Sequence, residues 1–281
     1  MEFGVTIFLT DRSIGPAEVA RESEARGFTS LFLPEHTHIP ASRRTPAPMG
    51  EPLPEQYWHT LDPFVALTVA AGATERLRLG TGICLVAQRD PFVTAKEAAT
   101  LDLLSRGRFE FGIGFGWNVE EIEDHGVSFP RRRALGRENV LAILKLWSDD
   151  EADFKGEFVS FEKSWAWPKP AQRPRPPVLI GGQGGPVLFR HAAEYADGWM
   201  PVGAHGVAKN LPVLRAAFEQ AGRDPSSVRV VPLGSIPEAG KLEYLRGLGI
   251  TEVVLNLPSG GRDEVLRVLD DHAKTVAPFR S

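Results

Sequence analysis

LRLGTGICLVAQRDPFVTAKEAATLDLLSRGRFEFGIGF, residues 77–115, holds the pattern from which the fold is read. An aliphatic β-type run (77–86) carries glycines near its end, a helix-forming stretch follows, and a second β-type run (108–115) again ends in glycines. Alternation of this kind marks a parallel βα unit, because parallel neighbours must be joined by a crossover. Six further β-type runs lie on either side, at 2–8, 30–34, 177–182, 198–203, 228–234 and 252–257. Helical stretches separate them. One is GPAEVARESEARG (15–27), where Gly27 suits a left-handed C-cap.

Eight such units in 281 residues close most naturally into one (β/α)8 TIM barrel spanning residues 1–281, with functional residues at the C-terminal strand ends. An open, doubly wound sheet is the alternative. Two segments are longer than routine connections. Residues 35–60, after the second strand, contain Pro40, Pro46, Pro48, Pro52 and Pro54 and read as stiff and non-helical. Residues 149–176, between the fourth and fifth strands, read as a hairpin with a proline-rich return; Trp165 and Trp167 on it suit a lid, or line a plain surface excursion.

Composition narrows the function. Forty-two per cent hydrophobic and 24% charged residues describe an ordinary globular chain. A net charge of -4 with a pI near 6.0 leaves no footprint for nucleic acid or an anionic membrane. Arg131–Arg133 read as a solvated helix start. A single cysteine, Cys84, permits no internal disulfide and fits a reducing cytoplasm. No secretory leader and no membrane-spanning run is expected.

The stretch LFLPEHTHIP (31–40) packs Glu35, His36 and His38 together at the end of the second strand. Alternate residues of an extended chain face the same way, so His36 and His38 could share a side and offer two nitrogens to zinc. A catalytic metal needs a third ligand, and His59, His125, His191, His205 and His272 supply none at a strand end except, at most, His205. No metal site is expected. The glycines are more informative. LGTGI (79–83), FGIGFGWN (111–118) and IGGQGG (180–185) end strands 3, 4 and 5, where glycine allows close backbone approach to a planar ring or a phosphate. Gly184 and Gly185 precede Pro186, which suits the first turn of a helix whose N-terminus faces an anion. GIGFG is not a dinucleotide fingerprint, for no opening βαβ unit with an acidic ribose partner accompanies it.

Taken in order, LFLPEH, the whole of 77–132, IGGQGG and AAEYADGWMPV (192–202) resemble the luciferase-like monooxygenase superfamily, in particular its deazaflavin oxidoreductases that use coenzyme F420. The match covers roughly residues 1–205. The resemblance implies a barrel with a flavin or 5-deazaflavin at its C-terminal mouth. It implies that Glu35 hydrogen-bonds the cofactor and that His36 faces its reactive carbon as acid or base. It further implies a bulge with a non-prolyl cis peptide at Gly82 and Ile83 behind the ring. Gly114, Gly116 and Trp117 would lie near the cofactor side chain, and Gly181, Gly182, Gln183, Gly184 and Gly185 would form its phosphate loop. Trp117 stands where some relatives carry an acidic residue, and the basic residues of sugar-phosphate dehydrogenases have no clear match.

The expected function is therefore hydride exchange between F420 and a small organic substrate, with His36 managing a proton. A reduced-FMN monooxygenase using molecular oxygen and a non-catalytic flavin-binding protein are the alternatives. His38, Trp58 and His59 are candidates for the same pocket, Arg43 and Arg44 for the anionic cofactor tail. A cytoplasmic homodimer is expected.

Overall fold

A computed structural model describes residues 1–280. Its strands are β1 (Glu2–Thr6), β2 (Ser30–Leu33), β3 (Arg78–Thr81, resumed at Cys84–Leu85), β4 (Phe109–Gly114), β5 (Val178–Gly181), β6 (Gly198–Met200), β7 (Arg229–Val230, resumed at Leu233–Ser235) and β8 (Glu252–Asn256). Every pairing among them is parallel, from β1 through β6 in chain order, and β8 returns to β1 with Glu2 opposite Glu252. Closure depends on β7. Its first half lies along β6 and its second along β8, and Val202 bridges Leu233 between them. The sheet is thus a closed (β/α)8-type barrel, and the open doubly wound alternative falls.

Each strand start and end matches the sequence reading within a few residues. The helices α1 (Pro16–Ala25), α2 (Pro63–Ala73), α3 (Pro91–Leu104), α4 (Val119–Asp124), α5 (Arg132–Ser148), α6 (Pro186–Tyr195), α7 (Val207–Gln220), α8 (Ala239–Gly247) and α9 (Arg262–Val276) surround it. Proline opens α1, α2, α3 and α6, where its missing N–H costs nothing. Asp62 accepts the Val65 N–H at 3.0 Å, and Asp90 accepts the N–H groups of Phe92 and Val93 at 2.9 Å, capping α2 and α3.

Strand parity sorts the side chains. Phe3, Val5, Ile7 and Leu9 join the large outer core beneath the helices, as do Leu31 and Leu33. Phe32, Leu179, Met200, Val231, Leu233 and Val254 instead fill the barrel interior, with Ile83 packed against them. At the N-terminal end the interior holds charge. Arg229 sits 3.0 Å from Glu110 and 2.9 Å from Glu252, and Arg78 sits 3.1 Å and 2.6 Å from the same two carboxylates. Four alternating charges close that end.

Residues 149–176 do form a hairpin, Ala152–Lys155 antiparallel to Ser160–Ser164, and a return with cis prolines at 168 and 174. The hairpin does not cover the barrel mouth. Glu138 of α5 accepts three backbone N–H groups of its turn, from Glu157, Phe158 and Val159, at 2.7 to 3.0 Å. Phe161 packs edge-on against Phe92 of α3. Trp165 lies beside Phe92, Lys96 and Leu146 on that outer flank, so the lid expectation is corrected to a flanking arm. No helix among the described residues is long and apolar enough to cross a membrane.

Candidate active site

The same parity that fills the barrel decides what the end of β2 offers. Leu31 and Leu33 point outward and Phe32 inward, so Glu35 continues the outer row and His36 the inner one. Glu35 is accordingly consumed by the wall. Its Oε2 accepts the Leu85 N–H at 2.6 Å and its Oε1 accepts Arg89 Nε–H at 2.6 Å. Arg89 also meets Asp62 and Glu97, at 2.5 and 2.9 Å. Burial alone would lower the Arg89 pKa; the neighbouring carboxylates, Glu35 foremost, reverse this and raise it, so the guanidinium stays charged. Glu35 therefore stands behind the mouth, fixing the strand-3 bulge.

His36 faces the mouth and is oriented from one side. Its Nδ1 lies 2.8 Å from Oε2 of Glu121, whose side chain is 1% exposed, and Oε1 of Glu121 accepts the Thr37 N–H at 3.2 Å. A carboxylate in that position selects the tautomer protonated at Nδ1 and leaves Nε2 for an incoming group. Asn118 caps the short α4 that carries Glu121, accepting the Glu121 N–H at 3.3 Å. The His36 ring lies 5.2 Å from that of Tyr57 and 5.8 Å, edge-on, from that of Trp117. Burial pushes the Tyr57 phenol up, which keeps it neutral.

His38 turns away from His36. Its Nε2 meets Asp124 at 3.1 Å, while Thr37 Oγ1 meets His125 Nε2 at 2.7 Å. Among the described residues no three His, Cys, Asp or Glu side chains are placed to hold a metal ion. His59 pairs with Asp11 at 2.8 Å, and Trp58 is exposed. Arg43 pairs with Glu51 and Arg44 with Glu120.

The glycine ends of β3, β4 and β5 meet around one side chain. The Gly82–Ile83 peptide is cis, the isomer the resemblance implied. A Cβ at Gly114 would fall 1.8 Å from Ile83 Cδ1, and one at Gly181 would fall 2.7 Å from Ile83 Cγ2. Glycine is needed at both so that Ile83 can lie across the strand ends as an apolar floor. Beyond it Gly182 takes a φ of 133°, and Trp199 donates to its carbonyl at 2.9 Å. Gln183 is exposed, Gly185 borders open space, and α6 begins there with no side-chain cap.

Several groups reached this site without a sequence signal that singled them out. Glu121 and Asp124 of α4 and His125 just past it fall on one side by their spacing of three and four, a pattern present in WNVEEIEDHG that points to the β2 loop only once the barrel is built. Gln88, next to Gly116, has both side-chain polar atoms buried without a partner. An unsatisfied buried amide of this kind is one that a ligand or an ordered water would satisfy.

A family model described as luciferase-like monooxygenase matches residues 15–236. An uncharacterized protein of Mycobacterium tuberculosis is 41% identical over 281 residues, covering 99% of each chain. A phthiodiolone/phenolphthiodiolone dimycocerosates ketoreductase of Mycobacterium kansasii is 34% identical over 218 residues, 72% of this chain and 57% of that relative's length. Among solved structures, an F420-dependent secondary alcohol dehydrogenase in complex with an F420–acetone adduct superposes over the whole of both chains with a TM-score of 0.79 at 20% identity. The oxygenating constituent of the 3,6-diketocamphane monooxygenase of Pseudomonas putida, in complex with FMN, covers 87% of this chain and 70% of its own, with a TM-score of 0.65 at 18% identity. At these identities the two structures speak to the fold.

Proposed function

The chain belongs to the luciferase-like monooxygenase family, and from that premise we propose that it is a two-electron oxidoreductase carrying coenzyme F420 at the barrel mouth. The observation that carries this reading is the Ile83 floor, made by three glycine-bearing strand ends, together with a histidine at the end of β2 whose Nδ1 is held by a buried carboxylate.

The residues present fit such a group. Ile83 and Gly82 would back its ring. The orphaned Gln88 amide beside Gly116 would meet polar atoms of its side chain. Gly182, Gln183, Gly184 and Gly185, with the uncapped N-terminus of α6, would take its phosphate. When bound, the deazaflavin supplies a hydride donor or acceptor. The protein's own part is to exclude water with Tyr57 and Trp117 and to hold or release a proton at His36 Nε2, with Glu121 compensating the charge that forms on the ring. Glu35 acts from behind, through the Leu85 amide and Arg89. A ketoreductase among the relatives and an alcohol dehydrogenase among the structural neighbours favour exchange at a carbonyl or carbinol carbon.

The FMN-bound neighbour supports a second reading, a reduced-FMN monooxygenase built on the same floor. Separate titrations with F420 and FMN decide between them. F420 binding with little FMN affinity is expected; the reverse result abandons the first reading. We also infer a cytoplasmic homodimer. The single, buried Cys84 supports that compartment. The dimer is supported by α2, whose sequence PFVALTVAAGA has no charge yet exposes Val65 and Val69, and by exposed Phe92, Val93, Leu103 and Leu104 on α3. A solution mass of one chain by light scattering would reject it.

A further inference from the structure

Opposite the glycine floor, the strand ends of β1, β6, β7 and β8 form a second wall, and its chemistry is uniform. We infer that this wall selects an uncharged substrate with an apolar body and a single alcohol or carbonyl oxygen, and that it has no provision for a phosphate or carboxylate. The inference rests on the oxidoreductase reading above and names the substrate class of that site.

Parity again says which side chains face inward. Thr6 and Phe8 alternate with the outer-core residues Val5, Ile7 and Leu9. Val202 follows the interior residue Met200 by two positions and bridges the interior residue Leu233. Asn256 follows the interior residue Val254 by two and pairs with Thr6. Val202 is 75% exposed and Ile236, just beyond β7, is 65% exposed, so aliphatic surface stands open at the rim of a polar protein. Phe8 closes the circle toward His36, its ring 4.6 Å from that of Tyr57.

Charge is sparse on the same arc: Asp11, just past β1, is paired with His59 at 2.8 Å. The segments PVGAHG (201–206), LGSIP (233–237) and NLPSGG (256–261) contain no Lys, Arg, Asp or Glu. The cations of the two neighbouring loops are spoken for: Arg12 by Glu55 at 3.1 Å, Arg43 by Glu51 at 2.8 Å and Arg44 by Glu120 at 3.2 Å. An anionic group brought into this cup would be desolvated without a counter-charge, which strongly disfavours it. The polar groups that do face the cup are few. Among the described residues His36 Nε2 has no protein partner, Ser235 Oγ, two positions past the interior Leu233, is buried without one, the Thr6 hydroxyl faces inward by parity, and the Asn256 side chain is exposed. An alcohol can donate to His36 Nε2 and a carbonyl can accept from the Asn256 amide or a hydroxyl, none of these neutral groups supplies a counter-charge, and the rest of the ligand meets hydrocarbon and aromatic rings.

The test uses two ketones of equal chain length, 2-octanone and 7-oxooctanoate, with glucose 6-phosphate as a phosphorylated probe. Dissociation constants are read by ligand-detected NMR on the full-length protein, before and after addition of F420. Expected is at least about tenfold tighter binding of 2-octanone than of 7-oxooctanoate and no binding of the sugar phosphate. Val202→Arg, at an exposed position, should narrow or reverse the preference; Ile236→Lys serves the same purpose should the first variant fail to fold. Equal or tighter binding of either anion by the parent protein, or no binding of 2-octanone, overturns the inference. F420 fluorescence in the same samples keeps the two claims apart. A sustained preference without F420 binding sinks only the cofactor reading, and F420 binding with a reversed preference sinks only the substrate class.

Discussion

His36 and Glu35 are adjacent in sequence and opposed in space, and this opposition assigns their work. His36→Ala should lower kcat by roughly 10²- to 10⁴-fold, the usual worth of a general acid or base, with F420 affinity nearly unchanged in a fluorescence titration. Glu121→Gln keeps the shape but loses the charge that selects the His36 tautomer. It should lower kcat less, displace the pH–rate profile and leave KM close to the parent value; an unaltered profile would remove Glu121 from the mechanism. Gly114→Ala tests the floor, because the new methyl carbon would fall 1.8 Å from Ile83. F420 binding should weaken at least tenfold while the circular dichroism spectrum stays native. At this scale the sequence displayed the residue types well. The glycines and the Glu35–His36 pair stood out, but the glycines serve Ile83 first, and Glu35 turned to the wall. Their physical reason is a side-chain direction, which requires knowing where the strand stops being a strand.

The elements that surround the mouth were legible in kind, less so in placement. The hairpin was foreseen in 149–176, yet nothing local says that Glu138, on α5, holds its turn. Burial works against the Glu138 carboxylate, and the three N–H bonds from Phe158, Glu157 and Val159 outweigh it, so its pKa is lowered. A lowered carboxyl group lends stability that is complete above its unfolded value near 4.5 and is lost as the pH falls through the folded value. Glu138→Gln should therefore cost about 1–3 kcal/mol in urea denaturation at pH 7 and flatten the acid limb of the stability curve below pH 5. An equal loss at every pH would mean the carboxylate charge is irrelevant. The short α4 shows the same limit of sequence reading: the acidic face it turns toward His36 depends on a contact 85 residues away.

Across the whole molecule, chemistry and ballast lie at opposite ends. The alternating ring of Arg78, Glu110, Arg229 and Glu252 seals the end far from His36, and burial pushes the Glu110 carboxyl up against the pull of Arg229. Glu252→Gln leaves Arg229 with Glu110 alone, while Arg78 keeps Glu110 and Glu2. It should destabilise by about 3–5 kcal/mol while F420 affinity is retained; a matching loss of affinity would show that the two ends are coupled. The barrel itself was readable from eight β-type runs alternating with helical stretches, whereas this ring was not, because its members come from strands scattered over 175 positions and meet only on closure. Parity also sets a grammar for how the gene can be edited. A single codon lost from 30–35 would exchange the partners of wall and cup, presenting a carboxylate where an imidazole belongs. The proline-rich segment after it, and the turn of the flanking hairpin, leave and rejoin the barrel without altering that count. Length can drift there, and novelty in this scaffold is free to enter by insertion at those two places while β2 keeps its number.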